Sequence, residues 1–389
     1  MNKKTPVIAR QRSKKGRSNL KTNRLLRRPV KGPSALSGAP RNDDTPSQLG
    51  YRMPAEWEPH EATWLAWPHN EETWPGKLPE VEEIYLRMIE ALVPHEQIHL
   101  LVDDERERDR VEKKLAGQGI FSKHIIYFLI PTVDAWVRDY GPNFIQRVSG
   151  GTKETAFVNW IFNAWGGKYE SLARDNVIPD RLAPLLGIPV FSPGLVLEGG
   201  SIDTNGLGTV LVTEQCLLHP NRNPYLTRQG IEEALRNFLG FDHFIWLGEG
   251  IEGDDTDGHI DDITRFVNPT TVVTALETNA GDANHFPLDK NLRRLREAKD
   301  QAGKKLTIIE LPMPNRVEGP WGRLPASYLN FYIGNGAVLV PVFGHLQDAT
   351  ALKILAELFP GRRVVGIRSE ALVLGLGGIH CVTHEQPAH

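Results

Sequence analysis

The chain has 389 residues, 40% of them hydrophobic, enough to bury a large core. Two cysteines rule out a disulfide framework and point to a reducing compartment, and no apolar run reaches the roughly 18 residues of a membrane span. The net charge of −3 hides an asymmetry: residues 1–42 carry 13 Lys or Arg and no acid, leaving 32 basic against 48 acidic residues beyond them. An acidic body suits a small cationic substrate and does not suit nucleic acid. Solubility alone would also account for such a surface.

The basic leader, from Lys3-Lys4 to Arg27-Arg28, has few apolar residues and no helical period, so disorder is expected over residues 1–46. A transit peptide is one alternative and a nucleic-acid tail another; a dispensable extension is the preferred reading. Folded structure is expected from about Leu49-Gly50-Tyr51, giving one domain over residues 47–389.

Glu80–Val93 has the period of an amphipathic helix, with Val81, Ile84, Tyr85, Met88, Ile89 and Leu92 on one face. Leu226–Leu239 and Asp348–Phe359 follow the same rule, with Asp348 as an expected N-cap. Short β-rich runs lie between them at Ile98–Val102, Ile125–Ile130, Thr209–Thr213, Thr271–Ala275, Leu306–Glu310 and Ala337–Val342. The alternation predicts an α/β fold. Neither a dinucleotide fingerprint nor a phosphate-binding loop is present; Gly375–Gly378 leads into the chain end with no room for a helix behind it.

Chemistry concentrates in a few segments. Gly253-Asp254-Asp255-Thr256-Asp257-Gly258-His259-Ile260-Asp261-Asp262 is the densest polar run, followed by apolar residues. A strand starting near His259 would project His259 and Asp261 to one side. A calcium loop fails on spacing, and a solvated acidic loop is the alternative for Asp254 and Asp255. Trp136–Pro142 sets Asp139 beside a large aromatic, Leu197–Gly200 ends an apolar run on Glu198, and Asn163–Gly167 reads as a shaped loop. Core packing or turn capping would explain any one of them alone. Cys381 follows Gly375–His380, a setting that predicts an exposed thiol.

Together these groups fit attack on a guanidinium. Carboxylates grip its planar fork by paired, charge-assisted hydrogen bonds and leave the central carbon open. A thiolate attacks and a histidine moves the protons. Asp139 and Asp261 would hold the fork, Cys381 attack, His259 transfer protons and Glu198 orient the imidazole. A zinc hydrolase built on His259, His380, Cys381 and His384 is a competitor without a familiar ligand spacing.

Met53–His60, Trp136–Pro142, Leu197–Asp203, Glu214–Pro224, Gly258–Asp262, Tyr328–Tyr332 and Gly377–Thr383 together resemble the agmatine deiminase family, in its order and over nearly everything beyond residue 50. The family belongs to the guanidine-modifying enzymes, with arginine deiminase and bacterial peptidylarginine deiminase. The resemblance implies a closed ring of five ββαβ-type modules, the pentein propeller, a covalent amidino-cysteine, and neither metal nor cofactor. It makes Cys381 the nucleophile, His259 the acid/base, Asp139 and Asp261 the guanidinium pair and Glu198 the partner of His259. Trp136 and Gly378 would line the substrate channel, and Cys216 would be a buried structural thiol. The implied reaction is agmatine to N-carbamoylputrescine and ammonia, toward putrescine, in the cytoplasm. Peptidylarginine or free arginine is the alternative substrate, and a non-catalytic guanidinium-binding pentein the alternative class. A homo-oligomer is compatible with either.

Spacing gives partial support. Asp139, Glu198 and His259 are 59 and 61 residues apart, and Tyr332 and Trp64–Trp67 continue the series as further landmarks facing a common axis. Cys381 would then lie on a C-terminal strand closing against the first module. The family's Thr-Asn-Gly-His-Val-Asp-Asn stands here as Thr256–Asp262, the stretch from Pro314 to Leu324 is short, and His384-Glu385-Gln386 replaces glutamines. These departures are expected around the far end of the substrate.

Overall fold

The β-branched runs form strands, and they do so repeatedly in one order. In the computed structural model, which describes residues 44–320 and 322–389, four sheets share a plan and a fifth varies it. A hairpin supplies an antiparallel pair, a helical crossover follows, and a last strand pairs in parallel with the middle one. β4 (Asn143–Ser149), β5 (Thr152–Val158) and β6 (Val190–Phe191) form one such sheet. β7 (Asp203–Thr204), β8 (Thr209–Thr213) and β9 (His243–Leu247) form the next. β10 (Thr264–Asn268), β11 (Thr271–Leu276) and β12 (Thr307–Pro312) repeat it. After a small hairpin of β13 (Glu318–Gly319) and β14 (Gly322–Arg323), so do β15 (Tyr332–Ile333), β16 (Ala337–Val342) and β17 (Arg363–Arg368).

The remaining sheet joins both ends of the described chain. β1 (His60–Ala66) runs parallel to β2 (Gln97–Val102), which runs parallel to β3 (Ile125–Leu129). Its antiparallel partner is β18 (His384–Pro387), so Trp64 sits opposite His384 and Thr63 opposite Glu385. The C-terminal strand therefore does close against the first module.

Middle strands are covered on both faces and read as continuous apolar runs, which is why β8, β11 and β16 were legible. The two-residue β7 and β15 carry no such pattern. The helix Leu78–Leu92 buries all six residues of its expected apolar face; it starts two residues early because Pro79, near the helix start, tolerates the missing N–H. The helix Arg228–Leu239 starts at Thr227, whose hydroxyl accepts from the Gly230 amide at 3.2 Å. Asp348 is not the N-cap of its helix. That helix runs Leu346–Leu358 from His345, and Asp348, on its first turn, reaches back to the amides of Gly344 and His345 at 2.8 and 3.1 Å.

The chain is already folded at Pro46, whose carbonyl accepts from the Tyr51 amide, and Ser47 bonds to Asn237. Residues 1–43 of the expected leader lie outside the described residues. Among the described residues no helix is long and apolar enough to cross a membrane.

Candidate active site

The five links that enter a sheet's first strand converge. Asp139 precedes β4, Glu198 precedes β7, His259 and Asp261 precede β10, Asn330 precedes β15 and Cys381 precedes β18. In four of these links the chain makes a single helical turn: Val137–Tyr140, Gly199–Ser201, Ile260–Asp262 and His380–Val382. One turn before each inner strand aims the neighbouring side chain at the common centre. This corrects the strand expected at His259, since the strand begins only at Thr264 and His259 starts the turn. The Asp254 carboxylate accepts from the amides of Thr256, Gly258 and His259 at 2.7, 2.8 and 3.2 Å; it builds the loop and is not solvated surface. The landmarks are also corrected. Asn330 takes the place expected for Tyr332, whose hydroxyl meets Thr63 at 2.8 Å, and the first sheet contributes Cys381 in place of Trp64.

The structure brings all five expected catalytic residues together. Asp139 accepts from the Trp165 indole at 2.8 Å and from the Gly200 amide at 3.0 Å. His259 is fully buried, with Nδ1 3.8 Å from Asp139 and Nε2 4.0 Å from Glu198. Neither ring nitrogen, nor Glu198 Oε2, nor Asp261 Oδ1, has a hydrogen-bond partner. Buried polar atoms are normally satisfied, so these open positions are where a polar substrate and a water fit. Glu198 lies beside His259, but its hydrogen bond goes to Arg222 at 2.6 Å. Arg222 comes from the Glu214–Pro224 segment and was not singled out.

Cys381 differs from expectation: it is 5% exposed, not open. Asn330 Nδ2 lies 3.2 Å from Sγ, and Asp261 Oδ2 3.8 Å. A cleft lined by Trp136, Trp165, Tyr169, Asp139, Asp255, Thr256 and Gly375–Gly377 reaches the thiol. A Cβ on Gly377 would fall 2.4 Å from the Trp136 ring, so only glycine fits there. Gly378 does not line this cleft; it packs on Asn330, where a Cβ would lie 2.4 Å from Oδ1.

The loop expected at Asn163–Gly167 is shaped as read, though the part Trp165 plays was not foreseen, nor was that of Gly200. Trp165 is delivered by a run of positive φ, with Ala164 at 54°, Trp165 at 53°, Gly166 at 87° and Gly167 at 76°. Two non-glycine residues there cost about 1–2 kcal/mol each, strain of the kind that collects at functional sites. Gly200 faces the centre: a Cβ would sit 2.7 Å from His259 Nδ1, 2.9 Å from Asp139 Oδ1 and 3.0 Å from Asp261 Oδ2. Its bareness leaves room for a flat cation among those groups. Gly200→Ala is expected to lower kcat/KM roughly 100-fold with the fold retained, measured by steady-state kinetics beside thermal melting.

The electrostatics suit a cation. Burial, then the charges of Asp261 and Glu198, push Asp139 well above the usual carboxylate range. Burial likewise raises the Cys381 thiol, with Asp261, Asp262 and Asp139 adding to it. Burial pushes His259 down to about 3 despite Asp261. Burial also works against Asp261 ionising, but the hydrogen bond and charge of His380 outweigh it and hold this carboxyl low. The empty site is therefore a thiol, a neutral imidazole and crowded carboxyl groups, a field that an arriving guanidinium relieves.

Glu198, Cys216 and His259 place one potential metal-ligand atom each within 4.8 Å of one another. A divalent ion there would sit against the buried Arg222 guanidinium, which is ion-paired with Glu198 at 2.6 Å, so the group does not fit a metal centre. Cys216 is fully buried.

Three of the residues that depart from the family pattern are held in hydrogen-bond networks. Asp257, in the left-handed region at φ 68°, bonds to Arg222, Lys168 and Asn221. Asp262 bonds to Asn330 at 3.0 Å, and Gln386 accepts from Trp64 within the first sheet.

The profile of the Porphyromonas-type peptidyl-arginine deiminase family matches residues 52–387. The chain belongs to that family. It is 36% identical to the agmatine deiminase of Stutzerimonas stutzeri, over 88% of this chain and 97% of that protein. Among solved structures it is similar to an agmatine deiminase of Enterococcus faecalis (31% identity, TM-score 0.82, 89% of this chain and 98% of that one). It is also similar to a C. jejuni agmatine deiminase in which a serine replaces a cysteine, solved with substrate bound (28% identity, TM-score 0.77, 87% and 96%).

Proposed function

We propose that residues 47–389 form a catalytic unit that hydrolyses agmatine to N-carbamoylputrescine and ammonia, a step toward putrescine. The observation that carries it is the cleft: it leads to Cys381, is walled by tryptophans, and the charged side chains that line it are the acids Asp139 and Asp255, the second of them paired with Lys168 at 3.6 Å. Agmatine is cationic at both ends. Free arginine would bring a carboxylate to a lining whose charged side chains are acids, and a peptidyl backbone would need a wide rim. The relatives named agmatine deiminase support the same choice.

The chemistry follows from the geometry. The guanidinium enters between Asp139 and Asp261, takes the open Asp261 Oδ1, and its charge favours loss of the Cys381 proton. The thiolate forms a C–S bond to the central carbon. His259, having taken the Cys381 proton, delivers it to one nitrogen; that C–N bond breaks, ammonia leaves, and an amidino-thioether remains. A water held by His259 then attacks the same carbon as the ring takes its proton. The C–S bond breaks, the thiolate returns and the urea product departs. Glu198, fixed by Arg222, steadies the imidazolium.

We read the five ββαβ units as blades of a closed pentein propeller, supported by the return of β18 to β1. The two free thiols, Cys216 and Cys381, support a reducing, cytoplasmic setting.

Ammonia release from agmatine, arginine and a peptidylarginine, each supplied separately, tests the substrate. Agmatine is expected to exceed the others by roughly 100-fold or more in kcat/KM. Equal or faster turnover of either competitor would overturn the choice.

A further inference from the structure

Asp261 has a use for each of its oxygens. Oδ1 is buried and has no hydrogen-bond partner, while Oδ2 lies 2.8 Å from His380 Nδ1 and 3.8 Å from the Cys381 sulfur. The other ring nitrogen of His380, Nε2, meets Glu56 Oε2 at 2.7 Å. Each nitrogen thus faces a carboxylate oxygen. His380 cannot drift, because its amide donates to the Asn330 side chain at 2.8 Å and its neighbour is Cys381 itself. Glu56 is equally fixed. Arg265 lies 2.9 Å and Arg138 3.3 Å from Oε2, and the Ile333 amide donates to Oε1 at 2.8 Å. All of these side chains are buried.

We propose that His380 and Glu56 are the positioning pair of the site: Glu56 fixes the imidazole, and the imidazole fixes which oxygen of Asp261 meets the guanidinium. The pair rests on the deiminase reading and adds two residues to it that do not touch substrate. It gives a function to the Met53–His60 segment, whose Glu56 reaches the centre from before β1. It is also needed on physical grounds. Asp261 shares a sealed space with Asp139 and the Cys381 sulfur, and an untethered carboxylate there would turn away from both. Tethering costs no reorganisation when the cation arrives.

Two variants separate the halves of the relay. H380N keeps an N–H donor where Nδ1 stood and loses the reach to Glu56. H380Q keeps the donor toward Glu56 and loses the one to Asp261. Steady-state agmatine kinetics on the full chain, with melting curves alongside, are expected to show H380N within about tenfold of wild type and H380Q down roughly 100-fold in kcat/KM, with KM raised. A purely structural histidine would give equal losses, which would overturn the pair, as would an H380Q as active as wild type. If either variant fails to fold, the C381S protein crystallised with agmatine decides. Oδ2 of Asp261 should stay on His380 while Oδ1 binds the guanidinium; His380 released from Asp261 in that complex overturns the proposal. An inactive wild type would overturn the deiminase reading and this pair with it, whereas active wild type beside an indifferent H380Q removes the pair alone.

Discussion

Cys381→Ser is expected to lower agmatine turnover by on the order of 10⁴-fold or more, with melting temperature nearly unchanged. The substitution keeps volume and hydrogen-bonding capacity, so the Asn330 contact at 3.2 Å survives in kind. What it removes is a nucleophile that can ionise. Even the thiol is held well above its ordinary range by burial and by Asp261, Asp262 and Asp139, and depends on the substrate's charge. A hydroxyl starts far higher, and that charge cannot make up the difference. Agmatine should still bind, because the carboxylates and Trp136 are untouched. Turnover by C381S close to wild type would show that no covalent cysteine step takes place.

His259→Gln is expected to lower kcat by 10²–10⁴-fold, the usual range for a lost acid/base. The amide can occupy the space between Asp139 and Glu198 but cannot carry a proton in either step. A second readout comes from stability. Buried His259 titrates at about 3 when folded against 6.5 when unfolded. Between those values the unfolded chain holds a proton that the folded chain excludes, so stability falls as pH drops from 6.5 toward 3. By pH 4 this group alone removes roughly 3 kcal/mol. H259Q should therefore lose less stability than wild type between pH 7 and pH 4, measured by denaturant unfolding. A parallel decline in both proteins would mean that His259 is not buried in neutral form.

The residues that converge on the centre were legible because they break local pattern. Asp139, Glu198, His259 and Asp261 are charged or titratable groups lodged in short, aromatic- or glycine-bounded links between apolar runs, and Cys381 follows a glycine run. The residues that hold them were not. Arg222 reaches Glu198, Trp165 reaches Asp139, Asn330 reaches Cys381 and His380 reaches Glu56 across different sheets, and no local period encodes contacts between links. Their segments could be marked, but not their partners. Gly200 shows the same limit: its role is the space it leaves among three other side chains. The buried thiol follows from this too. The glycines before Cys381 predicted openness, but they are small because Trp136 and Asn330 press on them. The fold was legible at its middle strands and long helices and illegible at the two-residue strands, where pairing depends on the partner hairpin.

The most direct test is mass spectrometry of the wild-type chain, quenched in acid during turnover of agmatine and digested. The account predicts an amidino adduct on the Cys381 peptide whose mass carries the aminobutyl chain of agmatine less one ammonia, and no adduct on the Cys216 peptide. Full turnover with Cys381 unmodified at every quench time, and with the adduct shown to survive the quench, would contradict it.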